Sequence, residues 1–508
     1  MQIPLFNTVL SWILKKRKYQ IDMFIDYPIE TQKEVLFNIL NSAKDTELGK
    51  KYGFDTIDDY KVFSERVPIL QYEEIEPFIE RSRKGENNIF WPTKIDWFAK
   101  SSGTTNAKSK FIPVSNEALE DCHLKAGKDM LCLYINNNED TEIFKGKGLR
   151  LGGSSAVYED NDTNFGDLSA IIIENLPFWA DLGSAPSQRT ALMGEWESKM
   201  EAIIQETINE DITSLVGVPS WMLVLLNRVL DITGKDNILE VWPNLEVFFH
   251  GGVNFNPYRK QYKKLIPSEK FKYYETYNAS EGFFAIQDVN NSNELLLMLD
   301  YGIFYEFIPM QDFDKGKWKA IPLQNVKLDQ NYAMVISTNS GLWRYMIGDT
   351  IKFTSLNPHR IKITGRTKHF INVFGEELII ENAEEALKKA CLETNSFLTD
   401  YTVAPIFMNG NKSGSHEWMI EFKTSPEDLT KFTTILDDTL KTLNSDYEAK
   451  RYKDMTLSLP KIHLAEKGLF YKWLKKNKKL GGQHKVPRMS NGRVFMEELL
   501  ELSLITTD

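Results

Sequence analysis

Five short runs concentrate hydroxyls, carboxylates and cations in patterns that suit charged ligands. The first is Ser101-Ser102-Gly103-Thr104-Thr105, with Lys108 and Lys110 close behind. Hydroxyls, backbone N–H groups and nearby ammonium groups are what phosphate oxygens need. This is not the phosphate loop of kinases and ATPases, because no second glycine precedes a Lys-Ser/Thr pair. By composition alone, an ordinary polar loop is the commoner outcome. The second run is Tyr277-Asn278-Ala279-Ser280-Glu281-Gly282, where a Glu beside Ser and Gly at a strand end can bind Mg²⁺ and the aromatic can stack on a base. A surface turn with a solvated Glu fits it equally well. In the third, Trp343-Arg344-Tyr345-Met346-Ile347-Gly348-Asp349, an Asp after Gly can accept sugar hydroxyls, although Gly-Asp is also turn chemistry. The fourth, Gly365-Arg366-Thr367-Lys368, is a cationic pair that by itself reads as a solvated turn. The fifth, Leu480 to Arg488 (LGGQHKVPR), carries Lys485 on a Gly-Gly loop. Residues 465–493 hold nine Lys/Arg and one acidic residue. That is either a solvated basic segment, one that touches RNA, or a lysine delivered to a phosphate or carboxylate.

Elements must hold these runs in place. Trp97 to Ser115 reads as strand, polar loop, strand, and Asn116 to Asn137 has helical periodicity. Ile29 to Thr46 is an amphipathic helix with Val35, Ile39 and Leu40 on one stripe, broken by Lys51 to Phe54 (KYGF). SLVGVPSWM and LEVFFHGG are expected buried strands closed by Gly or Pro, and FKYYETYNASEGFFAIQ reads as strand, turn, strand. Runs 294–310 and 331–354 are β-rich. The pattern predicts an α/β core joined to a smaller barrel-like sheet, then a small α+β domain beginning near Gly365 to Lys368.

The 508 residues predict about three structural units at roughly 150 each. With 42% hydrophobic and 26% charged residues, the chain is a globular protein and neither disordered nor collagen-like. A net charge of −10 argues against nucleic-acid binding through the global field. Three cysteines without zinc spacing suit a reducing compartment. No run approaches the roughly 20 apolar residues of a membrane span, and the short run Val9 to Leu14 has its basic residues after it rather than before. A cytoplasmic location is expected, with no membrane partner.

Taken in order, the five runs resemble the adenylate-forming superfamily of acyl-CoA synthetases, peptide-synthetase adenylation domains and luciferases. Within it, SSGTT…KFIP, YNASEGFF, LWRYMIGD and GGQHKVPR, with LFNILNSAKDTELGKKYGF near the start, resemble the auxin-responsive-promoter (Gretchen Hagen) family of acyl acid–amido synthetases. In texture the chain is similar to a bacterial-type member. The likeness covers essentially the whole chain. One departure is Asn106-Ala107, where the superfamily loop usually continues with glycines.

The resemblance implies an α/β protein with the adenylate-forming fold. Residues 1–365 would form a large N-terminal domain of α/β sheets plus a β-barrel-like subdomain, and residues 366–508 a small mobile α+β domain. It implies ATP and Mg²⁺, with a small carboxylic acid and an amino acid as substrates. The acid would attack the α-phosphate to give acyl-AMP and pyrophosphate, and an amine would then displace AMP. Ser101, Ser102, Gly103, Thr104, Thr105 and Lys110 would hold phosphate. Thr276, Tyr277, Asn278, Ala279 and Ser280 would line the adenine and α-phosphate site, and Glu281 would bind Mg²⁺. Asp349 would take the ribose hydroxyls and Arg366 the ribose or phosphate. Lys485 would bridge acid and phosphate, Lys368 would be the hinge, and Gly251 and Gly252 would let a strand pass close to the adenine, although a tight turn explains those glycines equally well. For the acid, Lys125 or Lys128 would pair with a carboxylate, with Trp221 and Phe178 as an aromatic wall, although helix lysines are usually solvated and such aromatics usually core. An acid–CoA ligase shares the first half-reaction. A non-catalytic nucleotide- or RNA-binding protein is a further alternative, disfavoured by the joint presence of Glu281, Asp349 and Lys485. Monomer and homodimer stay open.

Overall fold

The computed structural model describes residues 16–505 apart from 102–109, 153–157, 161–162, 254, 256–257, 314, 317, 368–369, 411 and 478–485. Ser102, Gly103, Thr104, Thr105, Lys368 and Lys485 therefore lie outside the described residues. Near the start the strands are β1 (Trp97–Ser101), β2 (Lys110–Val114), β3 (Lys147–Leu151), β4 (Tyr158–Asp160), β5 (Thr163–Gly166) and β6 (Ser184–Ala185). The middle of the chain supplies β7 (Ile212–Gly217), β8 (Val247–Gly251), β9 (Lys272–Ala279), β10 (Gly282–Ile286), β11 (Leu295–Leu297) and β12 (Ile303–Pro309). Next come β13 (Ile321–Pro322), β14 (Asn331–Thr338), β15 (Tyr345–Leu356) and β16 (His359–Arg366). The last part holds β17 (Phe370–Ile371), β18 (Leu378–Ile379), β19 (Phe397–Ile406), β20 (Ser415–Thr424) and β21 (Lys461–Ala465).

Twelve of the described strands form one sheet, ordered β13-β12-β14-β15-β16-β11-β10-β9-β8-β7-β3-β6. From β6 through β9 the neighbours are parallel, and from β9 onward they are antiparallel. Parallel strands are buried on both faces and so need apolar residues throughout, which explains runs such as Val247-Phe248-Phe249. The antiparallel strands expected as a barrel-like unit thus continue directly from the parallel ones. The β9–β10 hairpin, with Ser280 and Glu281 at its tip, marks the change of direction. A second sheet, β2-β1-β5-β4, flanks it.

SLVGVPSWM is strand only as far as Gly217. Pro219 opens the helix Pro219–Thr233 at its first position, where a fixed φ and a missing N–H cost nothing. Trp221 therefore stands on a helix. The N-terminal helix Pro28–Ala43 buries Leu36, Ile39, Leu40 and Ala43, with Val35 half-buried. Its buried Gln32 is satisfied, donating to Leu299 O and Ile303 O at 2.9 Å each and accepting from Tyr305 N at 2.8 Å. This helix packs on the antiparallel strands. There Arg344 makes a buried two-pronged ion pair with Glu306, at 2.8 and 2.9 Å.

Strands β19, β20 and β21 form a three-stranded sheet beside the helices Ile380–Glu393 and Leu429–Leu443. Its Trp418, Phe432 and Leu436 share one apolar core with Leu215, Leu226 and Phe248 of the parallel half. The segment after β17 seals that seam: Ser220 Oγ and Trp221 Nε1 donate to Phe374 O at 3.3 and 3.2 Å, and Tyr258 OH donates to Val373 O at 2.6 Å. No described helix is long and apolar enough to cross a membrane.

Candidate active site

One cleft of about 610 Å³ opens where the β9–β10 hairpin faces the paired ends of β15 and β16. Along β9 alternate side chains point to opposite faces. Tyr277 is buried, packs on Phe284 with centroids 4.9 Å apart, and donates its hydroxyl to Asp349 Oδ2 at 2.7 Å. Asp349 on β15 is paired in register with Arg366 on β16, whose Nε donates to Asp349 Oδ1 at 2.8 Å. Burial works against the Arg366 charge, but Glu377 and Asp349 outweigh it and keep the guanidinium protonated. A carboxylate offers about four lone-pair sites, so Asp349 keeps acceptor capacity while both oxygens are held.

Glu281 lies at the hairpin tip, where Tyr345 OH donates to its Oε1 at 3.4 Å. Burial pushes its carboxyl up and the Lys110 ammonium pulls it back. Burial pushes the Lys110 ammonium down, and Glu281 opposes that. Lys110 is set by β2 and lies 5.2 Å from the centre of the Tyr72 ring, whose hydroxyl accepts Phe111 N–H at 2.8 Å. A cation and a carboxylate thus attract each other across the cleft, an arrangement that suits a charged, phosphate-bearing ligand. On the β8 side, Gly251 pairs with Thr276, and a Cβ at Gly251 would stand 2.6 Å from Thr276 O. Only glycine fits that approach.

The cleft gathers much of what the sequence singled out: Ser101, Lys110, Gly252, Thr276, Tyr277, Asn278, Ala279, Ser280, Glu281, Asp349 and Arg366 all line it. Gly251 stands just behind its wall. The acid-binding expectations fare differently. Lys125 donates to Asp300 O at 2.8 Å and pairs with Asp300 Oδ2 at 3.0 Å, so its charge is already balanced. Lys128 is half-buried on the same helix and away from the cleft. Trp221 is corrected to a seam residue, because Phe374 O takes its N–H and Lys450 covers its ring at 4.0 Å. Phe178 is neither wall nor core but 77% exposed. Arg344 is structural, held by Glu306 and by Val67 O at 2.6 Å.

Glu275, Glu377, Asn372 and Tyr72 line the cleft without having been singled out. Glu275 immediately precedes the Thr276 run, so extending that run by one residue would have found it. Burial pushes its carboxyl up, while Arg259 draws it down. Glu377 and Asn372 come from a segment with no motif of its own. Among the described residues no group of three or more His, Cys, Asp or Glu could hold a metal. Glu281 alone still fits Mg²⁺, which typically takes one or two carboxylates and completes its shell with phosphate oxygens and water.

Residues 17–271, 296–366 and 381–494 match the GH3 family N-terminal domain, the GH3 family central domain and the GH3 family C-terminal domain. Similar proteins include indole-3-acetic acid-amido synthetase GH3.3 of Arabidopsis thaliana, 21% identical over 94% of this chain and 91% of that protein. The 4-substituted benzoates-glutamate ligase GH3.12 of the same plant is 22% identical, over 90% of this chain and 92% of that protein. Jasmonoyl-L-amino acid synthetase JAR6 of Nicotiana attenuata is 23% identical over 90% of each. Among solved structures, AtGH3.15 acyl acid amido synthetase in complex with 2,4-DB superposes with a TM-score of 0.60 at 17% identity, covering 93% of each chain. A 2-hydroxyisobutyryl-CoA ligase in complex with 2-HIB-AMP and CoA gives 0.57 at 13% identity, over 94% of this chain and 93% of that one. Those structures speak for a shared fold. The three domain matches, in order and over most of the length, show that the chain belongs to the GH3 family.

Proposed function

We propose that the chain is an ATP-dependent acyl acid–amido synthetase that joins a small carboxylic acid to an amino acid. The observation that carries this reading is the convergence of four of the five runs on one cleft: Tyr277 and Arg366 both grip Asp349, and Glu281 sits within the field of Lys110. The names of the relatives, which are amido synthetases and amino-acid ligases, support it.

In the first half-reaction a carboxylate oxygen bonds to the α-phosphorus of ATP, the bond to the β-phosphate oxygen breaks, and pyrophosphate leaves. In the second, an amine nitrogen bonds to the acyl carbon, the bond to the phosphate oxygen breaks, and AMP leaves. Two anions must meet in the first step, so charge neutralisation and positioning carry the rate. Asp349 would accept the ribose hydroxyls, fixed in place by Tyr277 and Arg366. Glu275 would accept from the adenine amine. Lys110 and Arg366 would neutralise phosphate, joined by Ser101, Ser102, Thr104 and Lys485. Mg²⁺, held by Glu281, would supply further charge neutralisation at the phosphates. The division into residues 1–365 and 366–508, with Lys368 as hinge, is part of the proposal: rotation of the smaller domain would bring Lys485 in for adenylation and withdraw it for the amine.

ATP–pyrophosphate exchange over a panel of carboxylic acids, with and without Mg²⁺, tests adenylation. Acid-dependent exchange is expected, and ATP binding without exchange for any acid would sink the reading. Mass analysis of the product with an amino acid mixture and with CoA then identifies the acceptor. An amide is expected, and a thioester alone would make the protein an acid–CoA ligase.

A further inference from the structure

Among the described residues five carboxylates line the cleft: Glu73, Glu275, Glu281, Asp349 and Glu377. The adenylation reading gives work to Glu275, Glu281 and Asp349, and Glu377 reaches Arg366 at 3.5 Å. Glu73 has no part in that reading, and it is the one of the five that is exposed. Its place is fixed from two sides. Leu70 joins the start of β15 by two backbone bonds, Leu70 N–H to Arg344 O at 3.0 Å and Met346 N–H to Leu70 O at 2.9 Å. The helix Tyr72–Arg83 starts there, and Glu74 reaches back to accept Gln71 N–H at 2.9 Å. Glu74 thus serves the helix end, while its neighbour Glu73 lines the cleft. The buried Tyr72 accepts Phe111 N–H at 2.8 Å, which holds this first turn beside Lys110.

Lys110 is the cation of this end of the cleft. Glu281, Glu73 and Glu377 draw on its ammonium, and Arg366 opposes them. Tyr345, whose hydroxyl goes to Glu281, lies within the field of Glu73 as well. Glu73, Lys110 and Glu281 therefore share one end of the cleft, the end to which the reading above assigns the phosphates. While ATP is bound, its phosphates neutralise Lys110. Once pyrophosphate has left, the Lys110 charge is open again, with the exposed Glu73 carboxylate in its field. An α-amino acid carries an ammonium and a carboxylate on one carbon, so it matches an anion and a cation set close together. A thiol matches neither. The room that pyrophosphate vacates also borders the α-phosphate, to which the acyl group is joined.

Resting on the amido-synthetase reading above, we propose that the acceptor amino acid binds in the room that pyrophosphate leaves, with its ammonium on Glu73 and its carboxylate on Lys110. The ammonium passes one proton to the Glu73 carboxylate, and the freed lone pair forms the bond to the acyl carbon. The bond from that carbon to the phosphate oxygen breaks, AMP leaves with its electron pair, and a second proton passes from the nitrogen to water. Glu73, which is open to water, then releases the proton it took. Wild type and Glu73→Gln are compared in amide formation with the conjugated amino acid and with hydroxylamine, an amine that has no carboxylate and is mostly uncharged at neutral pH. Pyrophosphate exchange, which needs no acceptor, is measured beside them. Glu73→Gln is expected to raise KM for the amino acid at least tenfold, and to lower its kcat/KM at least fivefold more than that for hydroxylamine. Equal losses with both nucleophiles would make Glu73 a structural residue and overturn the assignment. A shifted Mg²⁺ titration of exchange in the variant would give Glu73 to the metal and likewise overturn it. A wild-type protein that forms only a thioester with CoA would remove the amino acid from the cleft, with the same consequence. Absence of exchange in the wild type would show instead that the adenylation reading has failed, and this assignment would fall with it.

Discussion

Asp349 is oriented before any ligand arrives, because Tyr277 and Arg366 hold its two oxygens from different strands. Asp349→Asn keeps the size of the side chain and removes the anion. We expect it to lower kcat/KM for ATP by 10- to 100-fold, about 1.4 to 3 kcal/mol, the usual range for a hydrogen bond to a charged group. A loss below threefold in pyrophosphate exchange would exclude ribose binding. Glu281→Gln removes a carboxylate while keeping its shape, so the Mg²⁺ concentration giving half-maximal exchange should rise at least tenfold. An unchanged Mg²⁺ titration counts against that ligand. Lys485→Ala should lower adenylation by two orders of magnitude or more with little change in melting temperature, and wild-type exchange in that variant would remove its assigned role. Asp349 and Glu281 were legible as cleft residues because each stands in a short run whose composition is unusual: a Glu between Ser and Gly, an Asp after Gly. Lys125 and Trp221 were misread because a lysine or tryptophan on a helix has no local sign of its partner. Asp300 lies 175 residues from Lys125, and Phe374 lies 153 residues from Trp221.

At the level of elements, the C-terminal sheet is tied together through one carboxylate. Glu417 on β20 is reached by Arg493 at 2.7 Å, His463 at 2.7 Å and Lys461 at 3.1 Å. Burial alone would raise its carboxyl, but the hydrogen bonds from Arg493, His463 and Lys461, with the charge of Arg493, outweigh burial and draw it from the ordinary 4.5 down to about 2. A depressed carboxyl stabilises the fold fully above the unfolded value and loses that contribution as pH falls through the folded one. The knot should therefore contribute roughly 3 kcal/mol above about pH 4.5 and lose it progressively toward pH 2. Glu417→Gln should melt earlier at pH 7 and show a flatter acid limb between pH 4.5 and 2. Parallel melting curves for the two proteins across that window would contradict the assignment. The β9–β10 hairpin was readable from its apolar runs and polar turn. The end of β7 at Gly217 was not, since an apolar run looks the same in a buried strand and a buried helix, and only Pro219 marked the change.

At the level of the whole molecule, one buried ion pair fastens the N-terminal part to the antiparallel strands. Arg344 pairs with Glu306 and also donates to Ser64 O and Val67 O at 2.8 and 2.6 Å. Arg344→Met would leave Glu306 buried without its cation, and breaking such pairs from one side costs about 3–5 kcal/mol. A melting temperature lowered by several degrees is expected, and an unchanged one would show that Tyr60, whose hydroxyl donates to Glu306 at 2.8 Å, satisfies it alone. The order of motifs made the family resemblance visible from sequence, while the shared core of Trp418 with Phe248 was not, because apolar periodicity says which face is buried and not against what. The long sheet has a further consequence, for how the molecule behaves in a crowd. Both of its outer strands, Ile321–Pro322 and Ser184–Ala185, are only two residues long, and Pro322 has no N–H to offer. Each side of this sheet therefore closes on a two-residue strand that offers little ladder for another chain to join, a guard against edge-to-edge pairing at this sheet.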